Sequence, residues 1–274
     1  MSKSSETLFP WVGNKKFYIE FIKSRLPKNW NDNHDSTYIE PFLGSGVVFS
    51  ELKPERAILS DKSPYLIDIF KCMKSNAKYF NKKLKDLYEE NNAELHAQCK
   101  NQICDTKSIY ARSAMFWYLL RTSLYSFVCP KADGKSFICC YKSTGKPLSV
   151  KDKLYWEMSE VLMKENIQLF NHDFAEIIKM GNKGDFIFID PPYMNLKRPS
   201  RKIYNSFSQN DHERLVSEIL DADKRGCLIM LFNHKHPYLD EHLSNFNVVT
   251  VDHKQMRKSR SHFATYEEVM YTNY

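Results

Sequence analysis

The sequence predicts an α/β fold in which a core with parallel strands is interrupted by a helical and β-hairpin insertion. Three observations predict it. Short apolar, strand-like runs alternate with amphipathic helical segments at both ends of the 274-residue chain. The run Phe186-Ile187-Phe188-Ile189 is apolar at every position, the pattern of a strand buried on both faces of a parallel sheet. Between the two ends the alternation stops, and the chain becomes Lys-rich and helix-forming. The expected organisation is one core built from residues 1–73 and 166–274, with residues 74–165 inserted.

Each element follows from local chemistry. A glycine-containing segment, Pro10 to Lys15, leads into a helix with Phe17, Ile19, Phe21, Ile22 and Leu26 apolar, stopped by Pro27. Tyr38-Ile39 reads as a short strand, followed by Glu40-Pro41-Phe42-Leu43-Gly44-Ser45-Gly46 and a helix through Val47, Val48, Phe49 and Leu52. A second strand, Ala57-Ile58-Leu59-Ser60, ends on Asp61, and Pro64 opens the next helix, where its missing N–H costs nothing. The insertion carries helical stretches at 77–90, 108–121 and 152–164. Within its turn-rich part, Tyr125 to Pro147, Asp133-Gly134 between short strand-like runs signals a hairpin. Alternation resumes at Ile167, with the Phe186 strand, a helix at 211–223, and strands at 228–232, 248–251 and 269–271.

Composition bounds the function. Lys and Arg number 40 against 33 Asp and Glu, a formal charge of +7 that suits a phosphate-rich partner and equally a solvated basic surface. No apolar stretch approaches bilayer-spanning length, and Met1-Ser2-Lys3-Ser4-Ser5-Glu6 lacks the apolar core of a signal peptide. The expectation is a soluble cytoplasmic protein. Seven cysteines, none spaced Cys-x-x-Cys, read as reduced thiols and not as a disulfide framework or zinc site. His234-Lys235-His236 lacks a third ligand at helical spacing, so it reads as a loop after the Phe232 strand, and no metal is expected.

Asp190-Pro191-Pro192-Tyr193 is the most informative motif. Two prolines cannot continue a ladder, and each holds the residue before it extended. Asp190 is therefore carried past the carboxyl edge of the sheet, where open α/β sheets bind ligands. An acid, two carbonyls and an aromatic face on a rigid turn suit a flat, amino-bearing heterocycle such as a nucleobase. Gly44-Ser45-Gly46 sits where a strand turns into a helix, but lacks the third glycine of a dinucleotide fingerprint and the Lys-Ser/Thr of a phosphate loop. With Asp61 one strand on, it suits a nucleoside without phosphates, and read alone it is equally an ordinary tight turn. Trp11-Val12-Gly13-Asn14-Lys15 offers a ring and an ammonium near a glycine, for an adenine face and a carboxylate, and by itself also reads as a plain turn.

In their order, these segments resemble the amino-group DNA methyltransferases, most closely the Dam-type (D12 class, alpha group) N6-adenine enzymes. Trp11 to Lys15 is similar to the family's Trp-Ala-Gly-Gly-Lys segment, Tyr38 to Gly46 to its cofactor loop, and Asp61 to its ribose-binding acid. His172-Asp173-Phe174 is similar to the segment that contacts the cofactor adenine, and Asp190 to Tyr193 to the catalytic motif. Glu268-Val269-Met270-Tyr271-Thr272-Asn273 follows the family's last strand. The resemblance spans essentially the whole chain and is densest in the α/β halves. It implies a Rossmann-like S-adenosylmethionine-dependent methyltransferase core carrying an inserted helical/β-hairpin target-recognition domain. It further implies cofactor contacts from Trp11, Gly13, Lys15, Glu40, Phe42, Gly44, Gly46, Asp61, Asp173, Phe174 and Asp190. Catalysis would fall to Asp190, Pro191, Pro192 and Tyr193.

The implied partner is double-stranded DNA, methylated by a chain that is monomeric in isolation and is either solitary or matched to a separately encoded restriction endonuclease. Basic clusters are the candidate contacts: Lys197, Arg198, Arg201 and Lys202 after the catalytic turn; Lys131, Lys135 and Lys142 around the hairpin; and Arg257, Lys258 and Arg260 before the final strand. Arg121 and Tyr125 lead into the hairpin. Here the chain departs from GATC-methylating relatives, which carry Asn-Gly-Leu, Arg-Tyr-Asn and Asn-Val-Pro runs. This chain has Arg121-Thr122-Ser123-Leu124-Tyr125-Ser126-Phe127 and Phe137-Ile138-Cys139-Cys140-Tyr141, so a GATC target does not carry over. The nearest rival is an N4-cytosine methyltransferase; Asp at position 190, where Ser is the other option, favours adenine. A catalytically dead nucleic-acid-binding module is disfavoured because the catalytic and cofactor residues are all present.

Overall fold

The computed structural model describes residues 6–28, 30, 35–131, 134–143, 145–193, 207–251 and 267–274. In chain order, α1 (Ile19–Lys23) precedes β1 (Tyr38–Glu40), α2 (Val47–Leu52) and β2 (Ala57–Ser60). The middle of the chain holds α3 (Pro64–Glu89), α4 (Ala93–Gln102), α5 (Ile109–Thr122), the strands β3 (Cys129–Pro130) and β4 (Phe137–Ile138), and α6 (Asp152–Met163). The chain then runs through β5 (Ile167–Phe170), α7 (Phe174–Ile178), β6 (Phe186–Ile189), α8 (Gln209–Lys224), β7 (Leu228–His234), α9 (Pro237–His242), β8 (Asn247–Thr250) and β9 (Glu268–Thr272).

Seven strands form one sheet in the order β5-β2-β1-β6-β7-β9-β8. The first five of that order are parallel, and β9 runs antiparallel to both β7 and β8. The path leaves β1 toward β2 and β5 on one side, then returns at β6 and proceeds to β7 on the other. A crevice therefore opens at the carboxyl ends of β1 and β6, the switch point where such sheets take their ligands. Glu40 and Asp190 stand there.

Strand periodicity divides the core into two layers. Ile39, Ile187, Ile189, Ile229, Leu231, Val269 and Tyr271 face α7 and α8, packing with Ile178, Leu215 and Ile219. Tyr38, Phe186, Phe188, Met230, Phe232 and Met270 face the opposite way, into a larger cluster with Ile22, Phe49, Phe70, Trp117 and Tyr155. That second cluster runs without a break from the sheet into α3, α5 and α6. The point between residues 73 and 74 falls inside α3, a 26-residue helix with non-helical backbone at Asn76 (φ −157°, ψ 76°). The Asn76 side chain restarts the helix by accepting the Tyr79 N–H at 3.0 Å.

Several elements differ from the sequence reading for local reasons. α1 is confined to Ile19–Lys23, shorter than the apolar pattern from Phe17 to Leu26. α8 begins at Gln209 because Ser208 and Asp211 form a reciprocal capping box. β7 continues past Phe232 to His234, drawn out by antiparallel pairing with β9 that places His234 opposite Glu268. Asn233 and His234 are thus strand residues, not loop. The short helices α7 and α9 carry too few turns for a periodic signal; they start on side-chain caps from Asp173 and His236. In the hairpin, Cys129 pairs with Ile138 and Pro130 with Phe137, and Gly134 takes φ +66° in the loop. Asp133, the other half of that turn signal, lies outside the described residues. Among the described residues no helix is long and apolar enough to cross a membrane.

Candidate active site

The turn after β6 delivers Asp190 into a buried polar cluster. Lys15, only 4% exposed, places Nζ 2.6 Å from Asp190 Oδ1 and 3.7 Å from Glu268 Oε1. It also donates to the Gly13 carbonyl at 3.2 Å. Its ammonium is ringed by Tyr193, Phe232 and Tyr18, with centroids 5.0, 5.7 and 6.0 Å away. Such a cage replaces hydration by aromatic faces. The Tyr193 hydroxyl donates to Glu268 Oε1 at 2.5 Å, and its ring meets His234 edge-on at 4.5 Å. At the end of β1, Glu40 is 2% exposed and accepts from the Tyr38 hydroxyl at 2.8 Å.

Two carboxyls, Asp190 and Glu268, flank the ammonium, and Glu40 lies close enough to Asp190 to feel its charge. Burial holds Glu40 well above the usual carboxylate range; the Tyr38 hydrogen bond opposes this and the charge of Asp190 adds to it. Burial also raises Asp190, against the pull of Lys15. Tyr193 is pushed up by burial and then by the charges of Asp190 and Glu268, which keeps its phenol protonated. A carboxylate poised this way accepts hydrogen bonds strongly from an amine brought against it.

The cofactor-side candidates line the same sheet edge. Gly46 precedes α2 with φ +65°, a conformation that L side chains disfavour, and a Cβ there would lie 3.1 Å from Phe70 Cζ. A Cβ on Gly44 would lie 3.0 Å from Trp11 Cδ1, so the indole closes directly over this backbone. Asp61 accepts the Gly44 N–H on Oδ2 and the Ser63 N–H on Oδ1, each at 2.9 Å, which fixes the loop to the end of β2. Burial raises its pKa while both N–H groups offset part of the rise. Asp173 caps α7 by accepting from Ala175 and pairs with Arg214 at 2.5 Å. Phe174 stacks on Phe42, centroids 5.5 Å apart, and Phe207 packs against both.

These features meet a decisive comparison. A family model described as D12 class N6 adenine-specific DNA methyltransferase matches residues 11–256. The chain belongs to this family. It is similar to the type II methyltransferase M1.LlaDCHI of Lactococcus lactis subsp. cremoris, 28% identical over 96% of this chain and 94% of that protein. It is similar to the type II methyltransferase M.MjaIII of Methanocaldococcus jannaschii, 25% identical over 90% of each chain. It also resembles the DNA adenine methylase of Escherichia coli (strain K12), 24% identical over 85% of this chain and 82% of that one. As a family member it is an adenine-specific DNA methyltransferase, acting on DNA with a methyl donor. The N4-cytosine alternative finds no support in these comparisons.

Against this family, the structure brings Lys15, Asp190 and Tyr193 into one neighbourhood, Trp11, Gly44 and Asp61 into another, and Phe42 and Phe174 into a third. Arg121 lies in the last turn of α5, and Tyr125, Lys131, Lys135 and Lys142 lie between α5 and α6. Arg121 lies beside Tyr88, whose hydroxyl burial pushes up to about 12. Tyr125 is 86% exposed and holds φ +56°, rare for a residue with a side chain. Lys131, Lys135 and Lys142 are exposed. Lys197, Arg198, Arg201, Lys202, Arg257, Lys258 and Arg260 lie outside the described residues. Sequence reasoning did not single out Glu268, Tyr18, Phe232 or Arg214 as site residues. Only Glu268 carried a signal, being an acid at the head of an otherwise apolar strand.

Proposed function

We propose that the Asp190 cluster transfers a methyl group from S-adenosylmethionine to N6 of an adenine flipped out of duplex DNA. The observation that carries this reading is a largely buried, lysine-paired carboxylate on a proline-rigid turn at the switch point of the sheet. The residues present fit the cofactor. Trp11 over Gly44 gives a flat apolar wall, the aromatic group of Phe42, Phe174 and Phe207 gives another, and each Asp61 oxygen retains a lone pair for a ribose hydroxyl. When bound, that cofactor supplies an electrophilic methyl group on a sulfonium.

The chain's own residues do the rest. Adenine N6 is a poor nucleophile because its lone pair is delocalised into the ring. Hydrogen bonds from its two hydrogens to the Asp190 carboxylate and the Pro191 carbonyl favour a pyramidal nitrogen with the lone pair released for attack. Asp190 and Pro191 would hold the amine while its lone pair takes the methyl group, the C–S electron pair staying with sulfur as a neutral thioether. The methylated nitrogen would be cationic, stabilised by the Asp190 carboxylate that holds it, and its excess proton would pass to solvent. Tyr193, held by Glu268, stacks on the base. Orientation and fixed charge supply the acceleration. Extruding the base costs a few kcal/mol, repaid by these contacts.

On this reading residues 74–165 form the target-recognition part. Exposed Lys131, Lys135 and Lys142 contact phosphate, and Tyr125 presents an aromatic face to the bases. The type II names of two relatives make a restriction–modification role, with a separate nuclease, a natural setting. The enzyme would then reside in the cytoplasm with the DNA. The test is incubation with isotopically labelled S-adenosylmethionine and unmethylated genomic DNA, followed by nucleoside identification and context sequencing. N6-methyladenine in one short motif is expected; N4-methylcytosine or unlabelled DNA would overturn the reading. Asp190→Ala should abolish transfer while S-adenosylmethionine still binds, and normal turnover in that variant would remove Asp190 from the mechanism.

A further inference from the structure

Glu268 opens β9 and stands opposite His234 in the antiparallel pair with β7. It is buried, and the strand residues that follow, Val269, Met270 and Tyr271, are apolar and buried as well. A carboxylate in such a place gives up much of its hydration, a cost that an apolar residue of similar size would avoid. Its partners lie at the transfer site. Oε1 accepts from the Tyr193 hydroxyl and lies 3.7 Å from the Lys15 ammonium, whose shorter contact, 2.6 Å, is to Asp190.

We propose that Glu268 is a positioning residue for methyl transfer: its carboxylate anchors the Tyr193 hydroxyl and shares the Lys15 ammonium with Asp190, which keeps a carboxylate oxygen of Asp190 for the target amine. This inference rests on the transfer reading above. The argument is one of donors and acceptors. Asp190 has two donors beside it besides any substrate, the Lys15 ammonium and the Tyr193 phenol, and both tend to occupy it. Glu268 holds the phenol at 2.5 Å, leaving Asp190 only a secondary share of it, and draws on the ammonium from 3.7 Å. The ammonium sits on Oδ1, so an incoming amine has Oδ2 to address. Glu268 also leaves the trio of Asp190, Glu268 and Lys15 with a net charge of −1, which favours the cationic nitrogen formed as the methyl arrives.

The test compares wild-type enzyme with Glu268→Gln, which keeps shape and an acceptor for Tyr193 but deletes the charge. Single-turnover transfer to duplex DNA would be measured across pH, alongside cofactor and DNA affinities. The groups facing Asp190 are Lys15 from the N-terminal segment, Tyr38 and Glu40 from β1, Tyr193 from its own turn, and Glu268 from β9, with His234 behind Tyr193. Of these, Glu268 raises the Asp190 pKa and Lys15 lowers it. Glu268→Gln is therefore expected to slow transfer roughly ten- to a hundredfold with affinities held within about twofold. Its acid limb should move to lower pH, a change that a packing defect does not produce. Glu268→Asp should restore part of the rate. A folded Glu268→Gln enzyme with wild-type rate and an unmoved acid limb overturns the proposal. Should that variant fail to fold, Tyr193→Phe probes the same bond from its other end: several-fold slower transfer supports the proposal and an unchanged rate overturns it. If wild-type enzyme labels no DNA, the transfer reading itself falls and takes this inference with it.

Discussion

Replacing Lys15 by methionine removes the ammonium but keeps most of the apolar stem that packs among Tyr18, Tyr193 and Phe232. The Coulomb attraction at 2.6 Å from Asp190 is about 6 kcal/mol at an effective dielectric near 20, and that at 3.7 Å from Glu268 about 4 kcal/mol. Desolvation of the three groups cancels much of this, and breaking a buried pair by deleting one partner costs about 3–5 kcal/mol net. For a chain of this size that is a fall in Tm of roughly 6–15 °C near neutral pH. The pH dependence is the sharper readout. Burial already raises Asp190, and Lys15 is the first influence opposing it, so its loss raises the carboxyl further. A carboxyl whose folded pKa exceeds its unfolded value contributes stability at low pH that is lost as pH rises through the folded pKa. The gap in Tm between wild type and Lys15→Met should therefore be small in acid and widen toward neutrality. Thermal melts of both proteins from about pH 4.5 to 8 measure it. A gap that is absent, or constant across that range, would refute the pairing argument.

Two further perturbations test the cofactor loop and the insertion. Gly46→Ala must hold a side chain at φ +65° with its Cβ 3.1 Å from Phe70, and should lose about 1–3 kcal/mol of stability and weaken S-adenosylmethionine binding; melting and calorimetric titration at wild-type values would contradict this. Replacing Lys131, Lys135 and Lys142 together by alanine should leave folding unchanged, since all three are exposed. It should make the slope of log K against log salt on duplex DNA shallower by about 2–3; an unchanged slope would place the phosphate contacts elsewhere.

Much of the fold was legible because its signals are local. The apolar run 186–189 and the two prolines after it define both a buried strand and where it must end. Pro64 and Gly46 mark helix starts for equally local reasons. Where the reading fell short, the information was not local. β7 extends to His234 because β9 pairs with it, and no residue in the 228–232 run announces that partner. α7 and α9 are five and six residues long, too short for a 3.6-residue period to be seen.

The same division runs through the active site. Residue order alone singled out Asp190 to Tyr193, the glycine turn and Asp61 as candidates, since each sits at a strand end where proline, glycine or an acid interrupts an apolar pattern. It also proposed Lys15 for a carboxylate, that of a ligand. Folding supplied Asp190 of the same chain. Sheet order sets β6 beside β1, which creates the crevice. β9 entering antiparallel next to β7 carries Glu268 to Tyr193 and Lys15. Those contacts join segments distant in sequence, and no local periodicity encodes them; they exist because strand register and the burial of two opposite sheet faces leave these side chains only one edge to share.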